Sequence, residues 1–365
     1  MKPLLERIPF YFVLAFLASC STSNELVFEA MELDVDASPS MSSTAGDLDN
    51  DGDLDVLVVR KNASASIFIN DGEGVFLESD QEFPRYHLTD GGIADLNLDG
   101  YLDLILVQYD EPNLLLLNDG AGEFSEIAQE FGNGPSVGVG IADFDIDGDL
   151  DVIFTDYEAP LQVWFNDGAG FFELSEQVFE TANNRKVTLG DLDADGDLDV
   201  VVPRDFGESS VVLLNDGVGR FTLIDSGIET AGSNGINSSL GDVDGDGDLD
   251  ILHNCHGCPD SIWINNGFSE FTDSGEALSE GWSYDSEFAD FDLDGDLDIV
   301  IANNNIEDQV WLNDGKGVFI LAANMPEQPG STTLIVGDFD HDQDVDVFFA
   351  RYNGREKVWL NSQLD

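Results

Sequence analysis

Thirteen residues, GDLDNDGDLDVLV at positions 46–58, place five carboxylates at alternate positions: Asp47, Asp49, Asp51, Asp53 and Asp55. Like charges this close repel one another unless something positive lies between them. Oxygen ligands at alternate positions of a loop can converge on one hard cation, and Ca²⁺ takes six to eight of them. Asp47, Asp49 and Asp51 stand at positions 1, 3 and 5, and Gly52 at position 6 allows a sharp bend. Asp53 at position 7 offers its backbone carbonyl, and Asp55 at position 9 closes the shell.

The spacing matches the first half of an EF-hand loop, without the glutamate at position 12 and without flanking helices. It recurs six times. The second set is Asp95, Asn97, Asp99, Tyr101 and Asp103. The next two are Asp143, Asp145, Asp147, Asp149 and Asp151, then Asp191, Asp193, Asp195, Asp197 and Asp199. They are followed by Asp242, Asp244, Asp246, Asp248 and Asp250, then Asp290, Asp292, Asp294, Asp296 and Asp298. The last is Asp338, Asp340, Asp342, Asp344 and Asp346. Up to seven calcium ions are therefore expected; the alternative is a set of acidic hairpin turns. The second loop has Asn97 in place of a carboxylate, and the seventh has Gln343 where glycine belongs. These two sites are expected to be weaker.

The elements that hold such loops follow from their period. From Asp47 through Asp95, Asp143 and Asp191 the step is constant; it lengthens slightly before Asp242, then resumes at Asp290 and Asp338. An asparagine keeps time with the loops, at Asn70, Asn118, Asn166, Asn215, Asn265, Asn313 and Asn361, mostly in an Asn-Asp-Gly turn. Shortly after it stands Phe76, Phe124, Phe172, Phe221, Phe271 or Phe319. The chain ends before a seventh, but Phe28 lies as far ahead of Phe76 as Phe76 lies ahead of Phe124. In the first repeat, strands are expected over 41–46, 54–59, 66–70 and 75–78, the second being a continuous apolar run buried on both faces. Four short strands per period predict an all-β, seven-bladed β-propeller of four-stranded blades. The N-terminal strand completes the C-terminal blade and leaves no open edge.

Of 365 residues, 75 are Asp or Glu and 13 are Lys or Arg, a net charge of −62. That excludes nucleic acid as partner, since phosphate binding needs clustered positive charge. Residues 1–19 read as a signal peptide, with Lys2 and Arg7 before a short apolar run. Leu17-Ala18-Ser19-Cys20 resembles the lipobox of bacterial lipoproteins. That resemblance implies lipidation of Cys20, a linker over 20–25, a propeller over 26–365 and an outer-membrane anchor; the alternative is an ordinary secretory signal. Cys255 and Cys258 read as a short-loop disulfide. The rival is a metal site that includes His253 and His256.

The whole of 26–365 resembles the FG-GAP/VCBS repeat proteins, relatives of the integrin α-subunit propellers. D-x-D-x-D-G-x-x-D is matched in full at Asp47, Asp143, Asp191, Asp242 and Asp290. The Phe-Gly and Gly-Ala-Pro tripeptides that name the family do not recur with the period, so the kinship looks closer to the bacterial VCBS branch. The resemblance implies adhesion, carbohydrate binding or protein–protein contact, with propeller lyases among wider relatives.

Topology sends the acidic loops and the Asn-Asp-Gly turns to one face. Most of the basic residues beyond position 19 fall on the other. Arg60, Tyr109, Tyr157, Arg204, Trp282, Tyr284, Arg351 and Tyr352 are the candidate ligand residues there, suited to a carbohydrate or an envelope protein. No Ser-His-Asp, His-Glu-x-x-His or phosphate-loop pattern is present, so a monomeric binding module is expected rather than an enzyme. The alternatives are a calcium-dependent lyase working through Arg85, Tyr86 or His87, and a purely structural scaffold.

Overall fold

A computed structural model describes residues 26–362 except 34–37, 84–86, 130, 133, 180, 230–233, 326–328 and 353. The expected signal peptide and linker, Cys20, and the suspects Arg85 and Tyr86 lie outside the described residues. Twenty-eight strands form seven antiparallel sheets of four. Each blade runs from an inner strand A to an outer strand D. In blade 1 these are Ser40–Gly46, Asp55–Arg60, Ser66–Asn70 and Phe76–Glu78. The second strand starts one residue later than its apolar run suggests and ends one later, because Asp55 pairs with Gly46 and Arg60 with Ser40.

The seventh blade is built from both ends of the chain. Phe28–Glu32 lies antiparallel to Lys357–Asn361, with Phe28 opposite Asn361 as Phe76 is opposite Asn70. Phe28 also packs edge-on against Phe291 of blade 6, as Phe76 packs against Phe339 of blade 7. The shared blade thus has the same internal geometry as an unbroken one, and the ring closes.

Burial explains the patterning. All six residues of strand B in blades 1, 2, 3, 6 and 7 are buried. Each core cluster combines neighbouring blades: Val56, Val58 and Phe76 pack with Phe339, Phe348 and Val358. The core is a ring of interfaces rather than a single centre. Near the axis the A strands crowd together and need small residues. A methyl group on Gly92 would lie 2.6 Å from Ile141 of the next blade, and one on Gly190 would lie 2.5 Å from Leu240. A bulge near the start of strand A in six blades adds twist where the strands converge.

Candidate functional site

Each acidic loop joins strands A and B and is organised by its own carboxylates. In the first, Asp47 accepts the N–H groups of Asp51 and Gly52 at 3.1 and 3.2 Å, and Asp51 accepts that of Asp53 at 3.0 Å. Asp55 is fully buried; its two oxygens accept the N–H groups of Leu48 and Asn70 at 2.8 and 2.9 Å. Burial pushes its carboxyl up to about 6, against the pull of those two donors. The other ninth-position aspartates behave alike, with Asp151 and Asp346 raised to about 7.

Oxygens of Asp47, Asp49 and Asp55 lie within 4.8 Å of one another, and so do those of Asp143, Asp145 and Asp151 and of Asp191, Asp193 and Asp199. The third-position oxygens Oδ1 of Asp49, Asp145 and Asp193 are buried without a hydrogen-bond partner. Such an atom is costly unless something supplies positive charge to it. The donor set is all oxygen, the preference of Ca²⁺. The residues therefore fit a calcium ion.

Position 7 has a different task for its side chain. A methyl group on Gly72 of the Asn-Asp-Gly turn would meet Asp53 at 2.6 Å, and one on Gly120 would meet Tyr101 at 2.5 Å. The seat is outside the cluster of carboxylates, which is why a tyrosine is accommodated there. Asn97 in the second loop satisfies itself against Asp99, through its own Nδ2 to Oδ2 and from the Asp99 N–H, both at 3.0 Å. In the seventh, Gln343 takes the bend at φ 78°, and His341 reaches across to Asp53 at 2.6 Å.

The periodic asparagines do more than turn the chain. Asn118 Nδ2 donates to the carbonyl of Leu48 in the preceding blade's acidic loop at 2.8 Å. Asn70 does the same to Phe339, and Asn361 to Phe291, at 2.9 and 3.1 Å. All seven asparagines make this bond. Each acidic loop is thus stitched to the neighbouring blade, a role the turn pattern does not disclose.

On the opposite face, one residue from the end of each strand B or the loop that follows it contributes to a ring around the axis: Lys61, Tyr109, Tyr157, Asp205, His256, Asn304 and Tyr352. Six of them donate their backbone N–H to a carbonyl at the entry to strand A of the same blade, over 2.7–3.1 Å. Lys61 reaches Pro39 in this way, Tyr109 reaches His87, and Tyr352 reaches Gly330. His256 makes the equivalent pairing within the sheet, with Asn234. Arg185 enters this ring from the connection into blade 4. It is ion-paired with buried Asp205, which also accepts the Tyr157 hydroxyl at 3.0 Å, and its guanidinium lies 5.1 Å from the centre of the Tyr157 ring. His256 stands edge-on to Trp282 at 4.6 Å and 5.6 Å from Tyr284. Lys61 lies 5.8 Å from the centre of the Tyr352 ring.

A family model described as the FG-GAP-like repeat matches residues 95–154, 143–202, 191–253 and 290–349, more than half of the chain. The chain belongs to the FG-GAP-like repeat family. No curated protein matches it. Among solved structures, this FG-GAP-like repeat protein is similar to BP39L, a lectin from Burkholderia pseudomallei, at 12% identity over 89% of this chain and 96% of that one, TM-score 0.66. It is similar to an Agrocybe aegerita lectin that recognises non-reducing terminal N-acetylglucosamine, at 19% identity over 87% of each chain, TM-score 0.58. BBS1N, crystallised with ARL6DN, shares 10% identity over 89% of this chain and 93% of that one, TM-score 0.61. At these identities the likeness is one of fold.

Within the FG-GAP-like propeller two of the candidate ligand residues are corrected. Arg60 is 3% exposed and pairs with Glu356 at 3.3 Å. Arg351 is 5% exposed, its Nη2 directed to the Pro329 carbonyl at 3.4 Å. Both are the last residue of strand B, a row whose side chains turn back into the blade. Asn303 shares the row, and there the N–H is braced by the Asp308 carboxylate. Arg204, two residues past the end of its strand Asp199–Val202, bonds the Ser209 carbonyl and Glu208, bordering a cleft of about 340 Å³ with Thr181, Ser210 and Leu223. Tyr109, Tyr157, Trp282, Tyr284 and Tyr352 remain around the axis, joined by Arg185 and His256. Cys255 and Cys258 form a disulfide within the hairpin, their Cα atoms 5.4 Å apart. His253 is fully buried, and burial lowers its imidazole to about 4. His87, the remaining lyase suspect, is exposed and paired with Asp110 at 2.6 Å.

Proposed function

We propose that the chain is a calcium-stabilised binding propeller of the bacterial envelope, carried on a lipid anchor at Cys20, with carbohydrate or an envelope protein as its ligand and no catalysis of its own. One contrast carries the reading. The acidic face repeats nearly the same loop seven times, as a structural device does, whereas the opposite mouth holds a different set of side chains at each blade. The lectin likeness in fold and the partner-bound propeller support a binding role, and the lipobox supports the location.

The orphaned Asp49, Asp145 and Asp193 oxygens support the calcium part. At calcium tenfold above Kd each occupied loop adds about 1.4 kcal/mol of stability. Thermal melts with and without a chelator test this: chelation is expected to lower Tm by many degrees, and an unmoved Tm rejects calcium as a stabiliser. Retention on a glycan array, or of an envelope protein in a pull-down, tests the binding part. Failure of both in saturating calcium leaves only the scaffold reading.

A further inference from the structure

We infer that the axial mouth opposite the acidic loops is a single binding site for a saccharide bearing a carboxylate, with Arg185 as the anion contact and the surrounding aromatic rings as stacking surfaces. This rests on the binding reading above and narrows it.

Position is the first argument. The backbone bond from the end of strand B to the entry of strand A sets the ring residues around the axis. They differ from blade to blade, so the ring makes one asymmetric site rather than seven equivalent ones. Geometry is the second. Asp205, almost fully buried, anchors Arg185 by one oxygen shared with the Tyr157 hydroxyl, so the guanidinium is held in place before any ligand arrives. Its Nε has no hydrogen-bond partner, and neither has the second Asp205 oxygen. Both of these atoms are buried, while the Arg185 side chain as a whole keeps 34% of its exposure and so remains open to the mouth.

Charge is the third argument. In a chain of net charge −62, an anion is held only where cations gather. Lys61 and Arg185 stand in the mouth; Lys186 reaches Ser42 on strand A of blade 1 at 3.4 Å, but its charge is matched there by Asp90 and Glu287, so Arg185 and Lys61 are the cations that count. Arg185 acts on Tyr109, Tyr157, His256 and Tyr284, on blades 2, 3, 5 and 6, against the opposing carboxylates of Glu158 and Asp110 at Tyr109 and of Asp205 at Tyr157. A guanidinium matches a carboxylate in shape, and flat rings present apolar faces to a pyranose.

The experiment titrates the full chain in calcium with trigalacturonic acid, and with maltotriose as the neutral probe, by calorimetry. One molecule per chain is expected for the acid and at least tenfold weaker binding for the neutral sugar. Arg185→Gln is expected to weaken the acid at least tenfold. Tyr352→Ala, on the far side of the ring, should weaken both sugars, while Arg220→Ala, in the exposed C–D turn of blade 4 on the acidic face, should change neither. Thermal melts show whether each variant folds; if Arg185→Gln does not, Tyr157→Phe serves, since it removes only the hydroxyl that helps hold Asp205. More than one site per chain, or mouth variants without effect, overturns the proposal and moves the site between the blades. No affinity for either sugar overturns it as well; the binding reading then stands only if an envelope protein is retained.

Discussion

At the fourth position of every acidic loop the backbone is left-handed, whichever side chain stands there. Leu98 has φ 58°, Ile146 φ 57° and Leu293 φ 57°. For such side chains this region costs about 1–2 kcal/mol each. It persists because the first aspartate holds the next two N–H groups on its two oxygens, as Asp143 holds those of Asp147 and Gly148 at 3.1 and 3.0 Å. The sixth position has the same demand, and Gln343 alone meets it with a side chain. Gln343→Gly should therefore raise stability by about 1 kcal/mol in chelator, read from a urea denaturation midpoint. A lower midpoint would show that the Gln343 side chain contributes more than its backbone costs. Asp260 allows a test by pH. It is fully buried, its carboxyl is pushed up to about 7 mainly by burial, and it accepts the Cys255 N–H at 2.8 Å. A folded-state value above the unfolded one means that its stabilising effect is complete below about pH 4 and is lost as pH rises through 7. In excess calcium, Asp260→Asn keeps the acceptor and should flatten stability against pH between 5 and 8 by about 2–4 kcal/mol. An unchanged slope would exclude Asp260 as its source.

Blades adhere through two layers of contact. Apolar residues of adjacent B and C strands form the core, and above it each asparagine ties its own C–D turn to the neighbouring acidic loop. Asn118 bonds both Leu48 and Leu102 carbonyls, at 2.8 and 3.0 Å, while its backbone N–H reaches Asp103. Order in one loop is thereby coupled to the placement of the next blade. Asn118→Ala strands one buried and one half-buried acceptor, so a loss of about 1–3 kcal/mol is expected in denaturant titration at saturating calcium. The same variant should weaken calcium in the first loop, whose Leu48 carbonyl it releases. Stability lost with no change in calcium binding would show that the stitch and the loop act separately.

Closure is a property of the entire ring. The strand Phe28–Glu32 supplies the outer edge of the seventh blade, and its Phe28 covers Phe291 and Trp359. Removing residues 26–33 should therefore unzip the junction between blades 6 and 7 and lower Tm by more than about 10 °C, given the apolar area exposed. Moving the same residues behind residue 362 through a short Asp-Gly turn should restore it, because the strand pairs antiparallel as every other strand D does. A permutant that melts like the truncated chain would show that the N-terminal connection itself matters.

The even period, the alternating carboxylates, the asparagine and phenylalanine marks and the displaced Phe28 were legible in the sequence because each repeats in register. Repetition turns weak local signals into one architecture, closure included. The two faces were legible as well, since strand order alone sorts the loops. What tertiary structure decided was direction within a face. Arg60 and Lys61 are neighbours in sequence, yet the first turns into the blade towards Glu356 and the second lies over Tyr352 at the axis. That choice depends on the Lys61 N–H meeting the Pro39 carbonyl and on the bulge in strand A, which no local pattern specifies. The convergence of Arg185, Tyr157 and Asp205 likewise joins parts of two blades that only the closed ring brings together.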